Sequence, residues 1–280
     1  MQMARIKLEA RAALAEFLAC IFFVFFGAGS VVGAVSATGD TVQPVNYALS
    51  FGFSITALAF AVGDLSGAHI NPAVTVSMAV SRNLTLTRAF MYIAAQIAGG
   101  VVGGGLLFMC VDHDSYHSGI GLANDITPAG GFFLEFMGTL LLIFVVFNVA
   151  VWAGKPLDND IAGSTVSALA PLPIGLAVVV SHLTLGPLTG CGINPARVIG
   201  AVVWEGQDWW DGRTGQAFWI YIAGPLAAAL VGPLLYAALY GKLSPGSAGK
   251  ERSSEYDKPT TGKQLETEAE TRVVSLAREK

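Results

Sequence analysis

The sequence contains the four-residue motif Ile-Asn-Pro-Ala twice, at residues 70–73 and 193–196. Asparagine is a favoured helix N-cap, and proline at the first helical position has no amide proton to leave unsatisfied. We therefore expect a helix to begin at each motif, with an asparagine amide NH2 group able to donate to the oxygen of a neutral molecule. The residues of the two boxes are Asn71, Pro72, Ala73, Asn194, Pro195 and Ala196.

The apolar run at each box is too short to cross a membrane. Ile70–Ser81 and Ile193–Trp204 hold 12 residues each, whereas a bilayer core requires about 20 residues of helix. Each run therefore predicts a re-entrant half-helix, whose N-terminus carries about half a positive elementary charge. Two such ends facing each other at the midplane would repel cations and hydronium. A molecule bound by both asparagines would turn its hydrogens outward, which interrupts a proton-conducting chain.

The elements that must position the boxes are long apolar segments without charged residues in their interiors. Their length is that of transmembrane helices, and they lack the alternation of polar and apolar residues typical of membrane strands. The six predicted spans are Phe17–Ala37, Tyr47–Gly63, Ala89–Val111, Phe136–Gly154, Ile161–Ser181 and Ala217–Gly241.

The two halves of the chain resemble each other. Ala-Glu-Phe at 15–17 corresponds to Leu-Glu-Phe at 134–136, and each half contains one box and three spans. Because three is odd, the second half must enter the membrane from the opposite side. This predicts an inverted repeat, the arrangement of many transport folds, with repeats at about 12–111 and 131–241.

Composition separates a membrane body from a polar tail. Charged residues make up 13% of the 280 residues, against roughly 25% in soluble domains. Residues 242–280 alone hold 8 basic and 7 acidic side chains, which predicts a disordered tail. This composition excludes a disordered chain as a whole, a nucleic-acid partner and an ordinary soluble enzyme. With no nucleophile–base pair and no metal-ligand cluster, we expect no catalytic activity, no cofactor and no metal.

Lysine and arginine in short links predict the orientation. The first 11 residues, the link at 81–88 and the link at 155–160 carry basic residues, whereas the other links are mostly acidic, with Arg213 as an exception. Both termini are therefore predicted to be cytoplasmic. We expect the plasma membrane rather than an internal one.

The segments SGAHINPAVT at 66–75 and TGCGINPARVIG at 189–200 resemble the two boxes of the aquaporin (major intrinsic protein) family. The likeness covers about residues 12–241, the predicted channel domain. It implies an all-α membrane protein with six transmembrane helices and two re-entrant half-helices. It also implies a homotetramer in the lipid bilayer, in which every subunit carries its own pore.

The resemblance also implies a selectivity filter of four residues. By position relative to the boxes these are an aromatic residue, a histidine, a cysteine and an arginine, namely Phe51, His182, Cys191 and Arg197. This set is similar to that of the orthodox, water-selective subgroup, and the cysteine is expected to react with mercury. Glycerol-conducting relatives tend to place aspartate after the arginine, where this chain has Val198. Val198 and Val202 also depart from the small residues usual in water channels.

Two acids at equivalent positions of the repeats, Glu16 and Glu135, are implied to brace the re-entrant loops by accepting backbone amides. The alternative is an acid stabilised by the dipole of its own helix. Bracing would turn loop carbonyls toward the pore, where they accept hydrogen bonds from water. The expected carbonyls are those of Gly67, Ala68, His69, Gly190, Cys191 and Gly192.

The sequence thus favours a passive water channel. Two alternatives stay open. The same fold would also suit other small neutral solutes, namely hydrogen peroxide, glycerol, urea or ammonia, of which peroxide is closest to water in size and hydrogen bonding. A coupled secondary transporter also uses inverted repeats and broken helices, but it requires titratable or cation-coordinating groups at the midplane, and this chain offers only Glu16 and Glu135.

Overall fold

The computed structural model describes residues 2–38, 44–151 and 168–240, and these residues form helices, turns and loops. A 3-10 turn lies at His113–Ser115, and a π-helical turn at Phe147–Val151 extends the α-helix Pro128–Val146. The α-helices are α1 (Gln2–Thr38), α2 (Pro44–Ser66), α3 (Pro72–Val80), α4 (Leu86–Cys110), α5 (Pro128–Val146), α6 (Pro171–Thr189), α7 (Pro195–Val202), α8 (Gln207–Asp211), α9 (Arg213–Gln216) and α10 (Ile220–Tyr240).

Six helical segments of the described ranges are long and apolar enough to cross a membrane, which confirms the predicted number of spans. The two box helices, α3 and α7, have only nine and eight residues and begin at the prolines of the boxes. The spanning segments are Ile6–Ala34, Pro44–Ser66, Leu86–Cys110, Pro128–Val151, Pro171–Thr189 and Arg213–Tyr240.

The predicted bounds of the fifth span were wrong at its end. The prediction ended at Ser181, but α6 continues to Thr189 and stops at Gly190, whose φ is +76°. The last turns are less apolar because they pack inside the protein, where Gly186 lies against the ring of Tyr47. This correction places His182 within α6. Residues 161–167 of the predicted span, like the predicted tail at 242–280, lie outside the described residues.

Helix α1 begins well before the predicted start at Phe17. Its first turns carry charged side chains, one of which, Glu9, forms an ion pair with Arg88 at the start of α4. Only the part of a helix that lies in the hydrocarbon core of the bilayer has to be apolar. The hydropathy pattern therefore missed these polar turns.

The helices pack as close pairs, α1 with α4, α2 with α6 and α5 with α10, while α7 packs against α4. Glycines allow the last of these contacts, because small residues let helix backbones approach closely. A Cβ built on Gly200 would lie 2.4 Å from the carbonyl carbon of Gly100, and one on Gly104 would lie 2.1 Å from the carbonyl oxygen of Gly200.

We expect Gly200→Ala to destabilise the protein, because the added methyl group overlaps backbone that cannot move aside as a side chain could. Overpacking of this kind costs roughly 1–3 kcal/mol. Gly33→Ala on α1 is the matched control, since a Cβ there meets nothing within 4 Å. Thermal denaturation in detergent measures both variants, and equal melting temperatures for the two would contradict the prediction.

Arg213, the exception to the charge pattern, binds the loop between the two halves. Its guanidinium donates to the carbonyls of Ala123 and Ile126. This structural contact explains the position of Arg213.

The same loop is also held by Tyr116, whose hydroxyl donates to the carbonyl of Ala201 at 2.8 Å. Burial, together with the charge of Glu205, raises the pKa of Tyr116 above its ordinary value, so its hydroxyl remains a donor.

Candidate functional site

The two short helices meet at their N-termini through reciprocal hydrogen bonds. The amide nitrogen Nδ2 of Asn71 donates to the carbonyl of Ile193 at 2.9 Å, and Nδ2 of Asn194 donates to the carbonyl of Ile70 at 2.8 Å. Each donor and its acceptor come from opposite halves of the chain. This reciprocity is the contact pattern expected of the inverted repeat.

The asparagines also cap their own helices. The oxygen Oδ1 of Asn71 accepts from the Ala73 amide at 2.8 Å, and that of Asn194 accepts from the amides of Ala196 and Arg197. Capping fixes each amide with its oxygen toward the helix and its NH2 group away from it. One N–H of each NH2 binds the opposite loop, which leaves the second N–H of each asparagine for a third partner.

The loop before each box adopts an unusual backbone. In the first loop Gly67, Ala68 and Ile70 have positive φ angles, and in the second Gly190, Cys191 and Ile193 do. Residues other than glycine rarely adopt such angles and do so only where the surrounding structure enforces them. The two loops therefore share one strained conformation, which must be held by other groups.

Buried carboxylates hold both loops. Glu135 accepts from the amides of Gly192 at 2.9 Å and Ile193 at 2.6 Å, and Glu16 accepts from those of His69 at 2.9 Å and Ile70 at 2.6 Å. Hydroxyl groups add to each set, that of Thr189 on Glu135 and that of Ser66 on Glu16. The two acids are fully buried. Each carboxylate thus accepts two backbone amides of the loop that precedes a box.

Three further residues of this network were missed by the sequence analysis. Gln96 on α4 is fully buried and donates to both Glu16 and Thr75. Tyr92 and Tyr221 donate to the carbonyls of Ser66 and Thr189, the residues that begin the two loops. An amide in an otherwise apolar span was the signal that could have identified Gln96, because buried polar groups require partners.

The structure brings the four predicted filter residues together. The ring of Phe51 stacks on that of His182 with centroids 4.5 Å apart, and the guanidinium of Arg197 lies 4.9 Å from the centroid of Phe51. Cys191 lies in the loop directly before the second box. All four side chains are nearly solvent-excluded, with at most 1% of their surface exposed.

Polar atoms of the filter lack partners among the described residues. His182 donates through Nδ1 to the carbonyl of Val178 at 2.9 Å, since a carbonyl can only accept. In the neutral ring this leaves Nε2 as an acceptor, and Nε2 has no protein partner in the described ranges. The Nε and Nη1 donors of Arg197 are likewise unpaired in the described part of the chain, while Nη2 contacts the carbonyl of Gly190 at 3.4 Å.

A cavity of about 60 Å³ reaches the two asparagines. It has room for a few water molecules, since one requires roughly 10–15 Å³ of such volume. The lining residues are mostly apolar, and they include Gly67, Ala68 and His69 of the first loop and the two asparagines. Of the predicted carbonyls, those of the first loop thus belong to residues that line this cavity, whereas Gly190–Gly192 do not.

The side chains of Val198 and Val202 pack into an apolar cluster with Ile120, Ala217 and Ile220. They lie outside the cavity lining. Where water channels usually have small residues, these two valines therefore change the packing of α7 in this apolar cluster. Within the described residues, no group of three or more histidine, cysteine, aspartate or glutamate side chains could hold a metal ion.

The fold and this site define a polytopic membrane channel built from two inverted halves, with half-helices that meet inside the protein. The chain belongs to the major intrinsic protein family, whose model matches residues 3–236. It is 37% identical over 254 residues to a probable aquaporin PIP2-7 of Oryza sativa, covering 87% of this chain and 82% of that protein. It is 38% identical over 226 residues to aquaporin PIP1-6 of Zea mays, covering 78% and 73%.

A solved structure has the same fold. The chain resembles the aquaglyceroporin of Plasmodium falciparum with a TM-score of 0.66, covering 84% of this chain and 96% of that one. The two sequences are 23% identical. This likeness confirms the predicted fold class.

Proposed function

We propose that this chain is a passive water-selective channel in which water moves in single file and protons and ions are excluded. The observation that carries the proposal is the set of unpaired atoms in the filter. Nε2 of His182 is an acceptor, and Nε and Nη1 of Arg197 are donors. Water both donates and accepts, so passing water molecules can satisfy both residues. The desolvation of these groups is then offset by the permeant itself.

The asparagine pair supports proton exclusion. Each asparagine retains one N–H beyond its bond to the opposite loop, and both lie at helix N-termini, where the dipole favours negative charge and repels cations. A water whose oxygen accepts from both would turn its hydrogens toward its neighbours. The chain of waters then has no single direction along which a proton can hop.

Close packing in the filter supports selection of small permeants. The ring centroid of Phe51 lies 4.5 Å from that of His182 and 4.9 Å from the guanidinium carbon of Arg197. This close spacing favours the passage of water over that of glycerol or urea. Hydrogen peroxide, close to water in size and polarity, is a second candidate permeant. The names of the relatives, which are aquaporins of plants, also support water as the permeant.

We further propose a homotetramer in the plasma membrane, with both termini cytoplasmic and the channel domain at residues 12–241. Protease protection of residues 1–11 and 242–280 in sealed right-side-out vesicles tests the orientation. Cross-linking in native membranes tests the oligomer.

Stopped-flow shrinkage of proteoliposomes tests the proposed function. We expect water efflux much faster than from bare lipid, with no collapse of an imposed pH gradient. Efflux equal to that of bare lipid would contradict the proposal. Uptake that depends on a proton gradient would favour the coupled transporter instead.

Mercury should inhibit this flow through Cys191, and Cys191→Ser should remove the inhibition. The side chain of Cys191 is buried, with Leu185 and Ile193 as neighbours, so we expect inhibition to develop over minutes of incubation. The filter is the narrow region, and a metal bound at its edge would obstruct it. Cys110, which is exposed, supplies the matched control. Loss of inhibition in Cys110→Ser, with inhibition retained in Cys191→Ser, would contradict the prediction.

A further inference from the structure

A fifth residue, the aromatic Tyr47, extends the filter. Tyr47 lies on α2 four residues before Phe51, so the two rings share one face of the helix. Its ring is 6.4 Å from that of His182 in an edge-on contact. Along α2 it lies about 6 Å from Phe51 on the side away from the boxes, at 1.5 Å of rise per residue.

Solvent exposure supports this position. Tyr47 retains 6% of its surface, whereas Phe51 retains none and His182 retains 1%. The phenol ring therefore lies beside the imidazole of His182, on the side of the filter away from the boxes.

The ring occupies space that exists because residue 186 is glycine. A Cβ built on Gly186 would lie 2.1 Å from the hydroxyl oxygen of Tyr47 and 2.4 Å from its Cε2. Gly186 is on α6, one turn after His182. The ring of Phe51 packs against a glycine in the same way, since a Cβ built on Gly27 would lie 2.1 Å from Cε1 of Phe51. Each ring of the α2 face thus lies against a glycine of a neighbouring helix.

We propose that Tyr47 is a further specificity-determining residue, which supports His182 in its narrow position and forms an outer collar of the filter, with Gly186 setting where the ring lies. His182 is held on one side by the stack with Phe51 and through Nδ1 by the carbonyl of Val178. The Tyr47 ring adds an edge-on contact to the imidazole, one turn of α2 further from the boxes. Without the Tyr47 ring, the imidazole gains room to tilt outward, and the opening widens. This inference rests on the proposed water-channel function.

The test compares glycerol with water permeability in proteoliposomes that contain the full chain. We expect Tyr47→Ala to raise the glycerol-to-water permeability ratio at least about tenfold, because a lost ring changes the fit of a solute by far more than one methylene group would. Tyr47→Phe keeps the ring and should keep the low ratio. An unchanged ratio in Tyr47→Ala would overturn the inference.

A second pair of variants separates a positioning role from a folding defect. Gly186→Ala should lower water flow about fivefold or more by forcing the Tyr47 ring toward His182, and adding Tyr47→Ala should restore it, since contacting residues couple strongly. Gly63→Ala on α2, where a Cβ meets nothing within 4 Å, is the matched control. A loss in Gly186→Ala that the second substitution does not rescue would overturn the role of Gly186 and of the collar.

The failure of this inference differs from the failure of the proposed function. Wild-type vesicles that pass no water would overturn both. Wild-type vesicles that pass water while excluding glycerol, with Tyr47→Ala vesicles behaving in the same way, would overturn the collar alone.

Discussion

Arg197→Val is expected to let protons cross the pore at least about tenfold faster than in the wild type. Two unit charges 5 Å apart repel by about 3 kcal/mol at an effective dielectric constant of 20, which corresponds to a factor of about 100 in rate. Arg197 is 1% exposed and lies against Phe51, so bulk water screens it little. The collapse of a pH gradient, followed with a dye trapped in proteoliposomes, measures the effect.

Arg197→Lys is the control for this prediction. Lysine keeps the positive charge but loses the planar set of donors, so proton exclusion should persist while water flow falls. If Arg197→Val were as proton-tight as the wild type, the barrier would lie elsewhere. The facing N-termini of α3 and α7 would then be its source.

Glu135→Gln is expected to destabilise the folded channel by about 3 kcal/mol and to abolish most water flow. Both carboxylate oxygens accept hydrogen bonds, from Thr189, Gly192 and Ile193. Glutamine has the same shape but only one acceptor oxygen, so its NH2 group must face a backbone N–H. The loop with positive φ at Cys191 and Ile193 then loses the group that enforces it.

Thermal denaturation in detergent and water efflux from proteoliposomes measure the two parts of this prediction. Glu9→Gln is the matched control, because Glu9 pairs with Arg88 at a partly exposed site, and such pairs contribute about 0–1 kcal/mol. A Glu135→Gln variant that melts with the wild type and conducts water normally would show that the carboxylate does not hold the loop.

The loops before the two boxes are held by different sets of hydrogen bonds, although each is held by a buried glutamate. Among the described residues, Glu16 accepts from four donor groups, since Gln96 adds to Ser66, His69 and Ile70. In the same ranges Glu135 accepts from three donor groups. The second loop has a further polar contact that the first lacks, because Arg197 reaches the carbonyl of Gly190. The guanidinium therefore serves the second loop as well as the filter.

The number of spans, the two half-helices and their asparagine caps followed from the sequence. These features depend on local physics, namely the length of apolar runs and the capping preferences of Asn71 and Asn194. The end of α6 did not follow, because its last turns face Tyr47 of another helix rather than lipid. The polar first turns of α1 were missed because hydropathy detects only the part of a helix in hydrocarbon.

The pairing of polar groups was decided by the tertiary structure. The sequence presented Glu16, Gln96 and Tyr47 as single residues, and only the resemblance to a family gave the first of them a role. Asn194 binds the carbonyl of Ile70 across 124 residues, a partner that no local pattern specifies. A buried donor must find an acceptor, and which acceptor it finds depends on how the helices pack. The sequence determined which groups enter the membrane, and packing of the two halves decided which of them remain free to meet water.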